Sequence, residues 1–216
     1  GHDIAVVELG TNSPGEIGRL TRIADPTAGV ITNVGLAHLE GLRSLEMIRE
    51  EKGDLFRCMN ESATAVINVD DEAVAKVGRE WSGKRITYGI NEQADVMAGH
   101  IAQMGAEGLR FIMHYETVNC EMTMNVLGMH HVYNALAAAA AALAAGTDIA
   151  DIAGGLSSFK PVSGRMDIKK MANGAFVIDD TYNANPSSVR EALKSLRDLK
   201  GGGKAFVILG DMLELG

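Results

Sequence analysis

The residues most able to do chemistry in this sequence form one run, Asp179-Asp180-Thr181-Tyr182-Asn183-Ala184-Asn185-Pro186-Ser187. Two acids, four amides or hydroxyls and a phenol follow the strand-like stretch Ala175 to Ile178. In α/β proteins ligands bind at the carboxyl ends of strands, so a polar cluster there reads as a site. Asp180 and Asn183 suit a nucleotide. Asn185-Pro186-Ser187 equally suits the start of a helix, because proline is tolerated in its first turn. The same rule selects Glu8, directly after the apolar run Ile4-Ala5-Val6-Val7. A carboxylate there matches a hard cation such as Mg2+, or an acid capping the next turn.

Four more positions have chemical potential. His38, in Asn33-Val34-Gly35-Leu36-Ala37-His38-Leu39-Glu40, suits a metal ligand, a phosphate contact or an ordinary loop histidine. Lys52, in Glu50-Glu51-Lys52-Gly53-Asp54, reads locally as a solvated helix-face residue. Asn134, in His130-His131-Val132-Tyr133-Asn134, has the donor and acceptor needed to read an adenine edge, or to bond locally near a helix start. Arg165 follows Lys160-Pro161-Val162-Ser163-Gly164. Its planar fork suits a phosphate held between two domains, or an interdomain salt bridge.

The elements that must position these residues are legible from periodicity. Strands are expected at Ile4 to Val7, Gly29 to Thr32, Ala65 to Val69 and Arg85 to Tyr88, with helices at Ile17 to Ile23, Leu45 to Met59 and Asp71 to Glu80. Strands alternating with helices imply α/β architecture and a mostly parallel sheet covered on both faces. Asp95 to Asn125 alternates at period two and reads as a small antiparallel excursion. Helices at His131 to Ala145 and Ile149 to Leu156 follow. The Lys160 to Arg165 segment reads as a domain boundary, dividing residues 1–160 from 161–216. Beyond it a second α/β unit is expected, with strand Ala175 to Ile178, helix Ser188 to Leu199 and strand Ala205 to Leu209.

Composition removes several classes. Twenty Lys and Arg against 28 Asp and Glu leave a net charge of −8 without a basic block, which argues against a nucleic-acid surface. Two isolated cysteines, Cys58 and Cys120, make neither a disulfide scaffold nor a thiolate zinc site, and point to a reducing cytoplasmic setting. The alanine-rich run Ala135 to Ala145 is too short to cross a bilayer and reads as a buried helix.

Taken together in chain order, the segments Glu8-Leu9-Gly10-Thr11-Asn12, Thr32 to Glu40, Glu51 to Phe56, Gly128 to Ala139, Ser163 to Met166, Asp179 to Pro186 and Leu209 to Gly216 resemble the Mur ligases, the ATP-dependent amide-forming family of peptidoglycan synthesis. Asp-Asp-Thr-Tyr-Asn-Ala-Asn-Pro and Gly-Asp-Met-Leu-Glu-Leu-Gly are most similar to the branch that adds D-alanyl-D-alanine to a UDP-N-acetylmuramoyl-tripeptide. The resemblance implies a partial central ATP-binding domain followed by the start of a Rossmann-like carboxy-terminal domain. It implies activation of a carboxylate as an acyl phosphate, then attack by the dipeptide amine. It assigns Mg2+ to Glu8, His38 and Lys52, the last as a carbamate. It assigns the adenine to Asn134 and the nucleotide phosphates to Arg165. Asp180 falls to the ribose, with Asn183 as a neighbour. It further implies a cytoplasmic bacterial enzyme, taken as a monomer, with no membrane insertion.

Two departures matter. The family often has His-Asn-x-x-Asn where this sequence reads His130-His131-Val132-Tyr133-Asn134. No Gly-Lys-Thr or Gly-Lys-Ser phosphate loop occurs, and both ends read as interior positions of a longer protein. The sequence is therefore expected to be inactive by itself. The competing readings are a Mur-type, folate-type or cyanophycin-type ligase with another amine, and a non-catalytic nucleotide-binding module.

Overall fold

The computed structural model describes residues 1–35 and 44–212. In chain order the elements are α1 (Glu16–Ala24), β1 (Ala28–Ile31), α2 (Leu45–Cys58), β2 (Thr64–Asn68), α3 (Glu72–Glu80), β3 (Lys84–Gly89), β4 (Val96–Gln103), a 3-10 turn (Gly105–Glu107), β5 (Leu109–Tyr115), β6 (Val118–Met124), α4 (His130–Ala144), α5 (Ile149–Ser157), β7 (Asp167–Lys170), β8 (Phe176–Asp179) and α6 (Pro186–Lys200). Six strands make one sheet in the order β1-β2-β3-β4-β5-β6. The pairings from β1 to β4 are parallel, and β4-β5-β6 continue antiparallel. The expected antiparallel excursion is thus an extension of the same sheet.

Period-two alternation explains why the sheet carries helices on both faces. Every residue of β2 is buried. Val66 points into a core with Tyr88, Val96, Phe111, Met113, Met122 and the helices α4 and α5. Its neighbours Ala65 and Ile67 point the other way, into a core with Ile48, Phe56, Val74, Val77 and Trp81 from α2, α3 and the chain after it. Each fully buried Val, Leu or Phe contributes about 1.5–3 kcal/mol relative to exposure. Helix α4 is apolar nearly all round, as a helix covered on most sides must be. Its buried Ala135, Ala137, Ala139 and Ala140 let it lie close to the sheet. No helix among the described residues is long and apolar enough to cross a membrane.

Helix starts follow side-chain capping chemistry. Ser44 accepts from Met47 N, and Asp71 accepts from Val74 N. Asn185 and Ser188 form a reciprocal capping box with Pro186 in the first turn, so Asn185-Pro186-Ser187 is a helix start. Helix α1 begins at Gly15, which has no side chain to offer. The buried carboxylate of Glu51, from α2, supplies the cap instead, accepting from Gly15 N, from Ile17 N at 2.8 Å and from the Thr11 hydroxyl at 3.0 Å.

Two expected strands are not strands. Ile4 to Val7 and Ala205 to Leu209 lie in irregular chain and are exposed, Val6 at 96% and Ile208 at 97%. A strand needs neighbours for its N–H and C=O groups, and neither run pairs with any element among the described residues. The expected strand Ala175 to Ile178 appears as β8, but its partner β7 went unread. The two form an antiparallel hairpin, crossed by the Lys169–Asp179 ion pair at 2.9 Å.

Candidate functional site

The parallel strands β1, β2 and β3 end together, and a cavity of about 260 Å³ opens there. Thr32 and Asn33 reach it from β1, Asn68 and Asp70 from β2, Tyr88 from β3, and His130, Tyr133 and Asn134 from the first turn of α4. Its floor is cross-linked. Asn68 donates from its amide to the Thr32 carbonyl at 2.9 Å and accepts from Asp70 N at 3.1 Å. The Asp71 carboxylate accepts from Val34 N at 2.9 Å and Val74 N at 3.0 Å. Both strand-end acids therefore serve backbone N–H groups.

Asp70 is the best-connected side chain here. It accepts from the backbone N–H groups of Ile90 at 2.7 Å, Asn91 at 3.0 Å and Glu92 at 2.8 Å, and from the Tyr133 hydroxyl at 2.8 Å. Burial alone would raise this carboxyl. The donated hydrogen bonds outweigh it and hold Asp70 below the usual carboxylate range. Burial pushes the Tyr133 hydroxyl up to about 12, and its bond to Asp70 adds to the shift.

The structure places one of the sequence-selected residues in the lining of this cavity and a second against a lining residue. Asn134 lines it with an exposed side chain. Lys52, on α2, does not line it but donates from Nζ to the carbonyl of the lining residue Asn33 at 2.8 Å. Desolvation holds the Lys52 amine below the ordinary lysine range, opposed by the nearby Asp71 carboxylate.

A second group assembles around the 162–166 turn. The Arg165 guanidinium stacks on the Tyr182 ring, 4.0 Å from its centre. Asp180 accepts from Met166 N at 3.1 Å, and Gly164 O accepts from Tyr182 N at 3.0 Å. Arg165 and Asp180 thus share one patch. Asp180 is also near enough to His130 to oppose the lowering of that imidazole by burial. Asn183 is exposed, two residues before the cap of α6. Glu8 is exposed in the irregular amino-terminal run and does not line the cavity. His38 lies outside the described residues. A larger opening of about 400 Å³, lined by Arg85, Asp95, His114, Tyr115 and neighbours, contains none of the selected residues.

The sequence reading passed over Asp70, Tyr88 and Tyr133. The signal was present: Asn68-Val69-Asp70-Asp71 follows a strand just as Asp179-Asp180-Thr181 does. Tyr133 was visible only as the neighbour of Asn134.

His130 and His131 are a further feature of the cavity edge. Their ring centres are 4.3 Å apart, and His130 Nδ1 and His131 Nε2 are buried without a hydrogen-bond partner among the described residues. Burial, with His130 adding repulsion, pushes His131 down to about 4. Its unfolded value is near 6.5, so between these pH values the unfolded chain holds the extra proton and the native state does not. This contribution to stability is fully present above about pH 6.5 and is lost as pH falls toward 4. The carboxyls held low, such as Asp70, act only below their unfolded values near 4. Urea midpoints measured from pH 7.5 to 5 should fall with acidification, and His131→Asn should flatten the slope; an unchanged slope removes His131 as its source.

The topology and this site define a class: an α/β protein with a polar crevice at the ends of its parallel strands. Residues 1–142 match the family model of the Mur ligase middle domain, and residues 164–216 match that of the Mur ligase glutamate ligase domain. The chain belongs to the Mur ligase family. It is 35% identical over 99% of its length to the UDP-N-acetylmuramoyl-tripeptide–D-alanyl-D-alanine ligase of Mycobacterium tuberculosis H37Rv, covering 43% of that protein. It is 36% identical over 99% of its length to the ligase of the same name from Bacillus subtilis 168, covering 46% of it. Among solved structures, MurF from Acinetobacter baumannii matches with a TM-score of 0.91 at 33% identity, over all of this chain and 46% of that one. MurF ligase from Thermotoga maritima, solved in complex with ADP, matches at 0.82 and 29% identity, over 97% of this chain and 47% of that one. The chain spans about half the length of the relatives it matches.

Proposed function

We propose that this chain is the nucleotide-handling part of an ATP-dependent amide ligase, which adds D-alanyl-D-alanine to a UDP-N-acetylmuramoyl-tripeptide in peptidoglycan precursor synthesis. The observation that carries this reading is the cavity at the ends of β1, β2 and β3, with the Asn134 amide on its wall and Lys52 beside it. The names of the relatives support the substrates. The ADP complex of the Thermotoga maritima relative supports the nucleotide.

The donor set suits the base end of a nucleotide. Asn134 offers both a donor and an acceptor, and His130 Nδ1 is a buried polar atom in the same cavity without a partner among the described residues. On this reading Asn134 holds the adenine. Arg165 and Asp180 meet the phosphates and ribose from the second unit, with Asn183 beside them. Glu8, His38 and Lys52, the last as a carbamate, would hold Mg2+. ATP with Mg2+ supplies the phosphoryl group that turns a carboxylate, whose own leaving group would be oxide, into an acylating agent. The chain's residues orient the nucleotide, neutralise charge and exclude water from an intermediate that water would destroy.

Lys52 has a specific role in this scheme. A carbamate forms when a neutral amine adds to carbon dioxide and releases a proton. An amine held below the ordinary lysine range has a larger neutral fraction, which supports this modification. The product is an anion fit to organise Mg2+. The domain reading is two units, 1–160 and 161–216, supported by separate sheets on either side of the 161–166 segment.

The test is ADP release by the full-length protein with Mg-ATP and the UDP-muramoyl tripeptide, with and without D-alanyl-D-alanine, with product mass read in parallel. Dipeptide-dependent ADP release and a product heavier by the dipeptide less water are expected. Folded protein that releases no ADP in this mixture would reject the substrate assignment.

A further inference from the structure

The Asn134 side chain makes no hydrogen bond among the described residues, so something other than its own contacts must fix where its amide points. The start of α4 does not fix itself: its cap is Met129, with no side-chain hydrogen bond to the first turn. The fixed point is the adjacent residue. The Tyr133 hydroxyl donates to Asp70 Oδ2 at 2.8 Å and accepts from the Asn91 amide at 3.2 Å. Asp70 is in turn anchored by the N–H groups of Ile90, Asn91 and Glu92. One phenol therefore ties the first turn of α4 to the ends of both β2 and β3.

We propose that the Tyr133–Asp70 hydrogen bond is the device that sets the Asn134 amide against the nucleotide base, making Tyr133 a positioning residue for base selectivity. The proposal rests on the reading of this cavity as the base end of an ATP site. Three features support it. Tyr133 and Asn134 are consecutive, so a tilt of the first turn moves both. Both line the same cavity, and the bond is at its edge. The hydroxyl, pushed up to about 12, remains a donor across the working pH range.

An Asn amide recognises adenine through its N6 amine and N7, whereas inosine carries an oxygen in place of that amine. The readout is therefore the preference for ATP over ITP, taken from kcat/KM of the full-length protein. Wild type, Tyr133→Phe, Asn134→Ala and the double variant are compared, with Asp70→Asn as a second way to break the bond. Asn134→Ala should erase the preference. Tyr133→Phe should lower it about tenfold, the worth of one buried hydrogen bond to a charged group, with the loss in KM for ATP. In the Asn134→Ala background Tyr133→Phe should add little, because both act through the same contact. Asp70→Asn should shift the preference the same way, and it decides the matter if Tyr133→Phe fails to fold by circular dichroism. If Asn134→Ala loses the preference and Tyr133→Phe keeps it, the positioning role is wrong and the base site stands. If Asn134→Ala keeps the preference, the base reading falls and the positioning role with it.

Discussion

Lys52→Ala in the full-length protein should lower ATP-dependent turnover by about a hundredfold or more, the scale seen when an electrostatic element of a metal or phosphoryl site is removed. The side chain emerges from α2, is half-buried and ends at the Asn33 carbonyl beside the cavity. Loss of a solvated helix-face lysine would cost almost nothing. Loss of a desolvated amine that becomes a carbamate removes both the anion and its placement. Two further readings separate these cases. A small carboxylate such as acetate should restore part of the activity of Lys52→Ala but not raise that of wild type. Wild-type protein in carbon-13 bicarbonate should show a carbamate carbon resonance that is missing in Lys52→Ala. Turnover equal to wild type would remove Lys52 from the mechanism, since its hydrogen bond to Asn33 would then be structural only.

The second large effect is on stability. Gly108→Ala should cost about 2–6 kcal/mol, combining backbone strain of about 1–3 with overpacking of about 1–3. Gly108 joins the 3-10 turn to β5 at φ 97° and ψ −137°, a conformation that L side chains rarely adopt. A methyl group there would overlap the Met124 carbonyl oxygen and approach Asn125 Cα at 2.8 Å and Val126 N at 2.9 Å. These are backbone atoms of the β6 end and cannot rotate aside. Relief requires separating β5 from β6 where Leu109 pairs with Met124, and Leu109, Met122, Met124 and Val126 are all buried in the larger core. Gly105→Ala is the control. Its φ is also positive, at 61°, but nothing lies within 4 Å of an added methyl. It should cost only about 1 kcal/mol, the price of the left-handed backbone. Equal urea midpoints for the two variants would show that contact with β6 is not what makes Gly108 necessary.

Much of the fold was legible because its signals are local. The helices at Glu16–Ala24, Leu45–Cys58 and Glu72–Glu80 differ from their expected spans by at most one residue at each end. Strands β1 to β3 shift by about one residue. Burial periodicity and capping residues such as Asp71 and Asn185 lie within the segments they define. The misreadings are all cases where the deciding contact lies outside the segment itself. Ile4 to Val7 has the composition of a core strand, but hydrophobicity specifies only that a run can be buried. Pairing decides whether it is a strand. β7 was overlooked because Asp167-Ile168-Lys169-Lys170 is polar, and its strand character comes from the partner β8.

The same division runs through the candidate site. Residue order alone determined the alternating α/β pattern, the apolar faces, the helix starts and the ordered segments that resemble the Mur ligases, including Asn134, Lys52, Arg165 and Asp180. Tertiary structure alone decided that Asp70, 63 residues from Tyr133, is its hydrogen-bond partner. It also decided that Glu51 caps a helix 36 residues upstream, and that Lys52 is desolvated beside a strand end rather than solvated on a helix face. Side-chain type is a property of one position. Whether a charge is buried, paired or left to water depends on which distant segments fold against it, and that sets whether the group caps, titrates or is free to act.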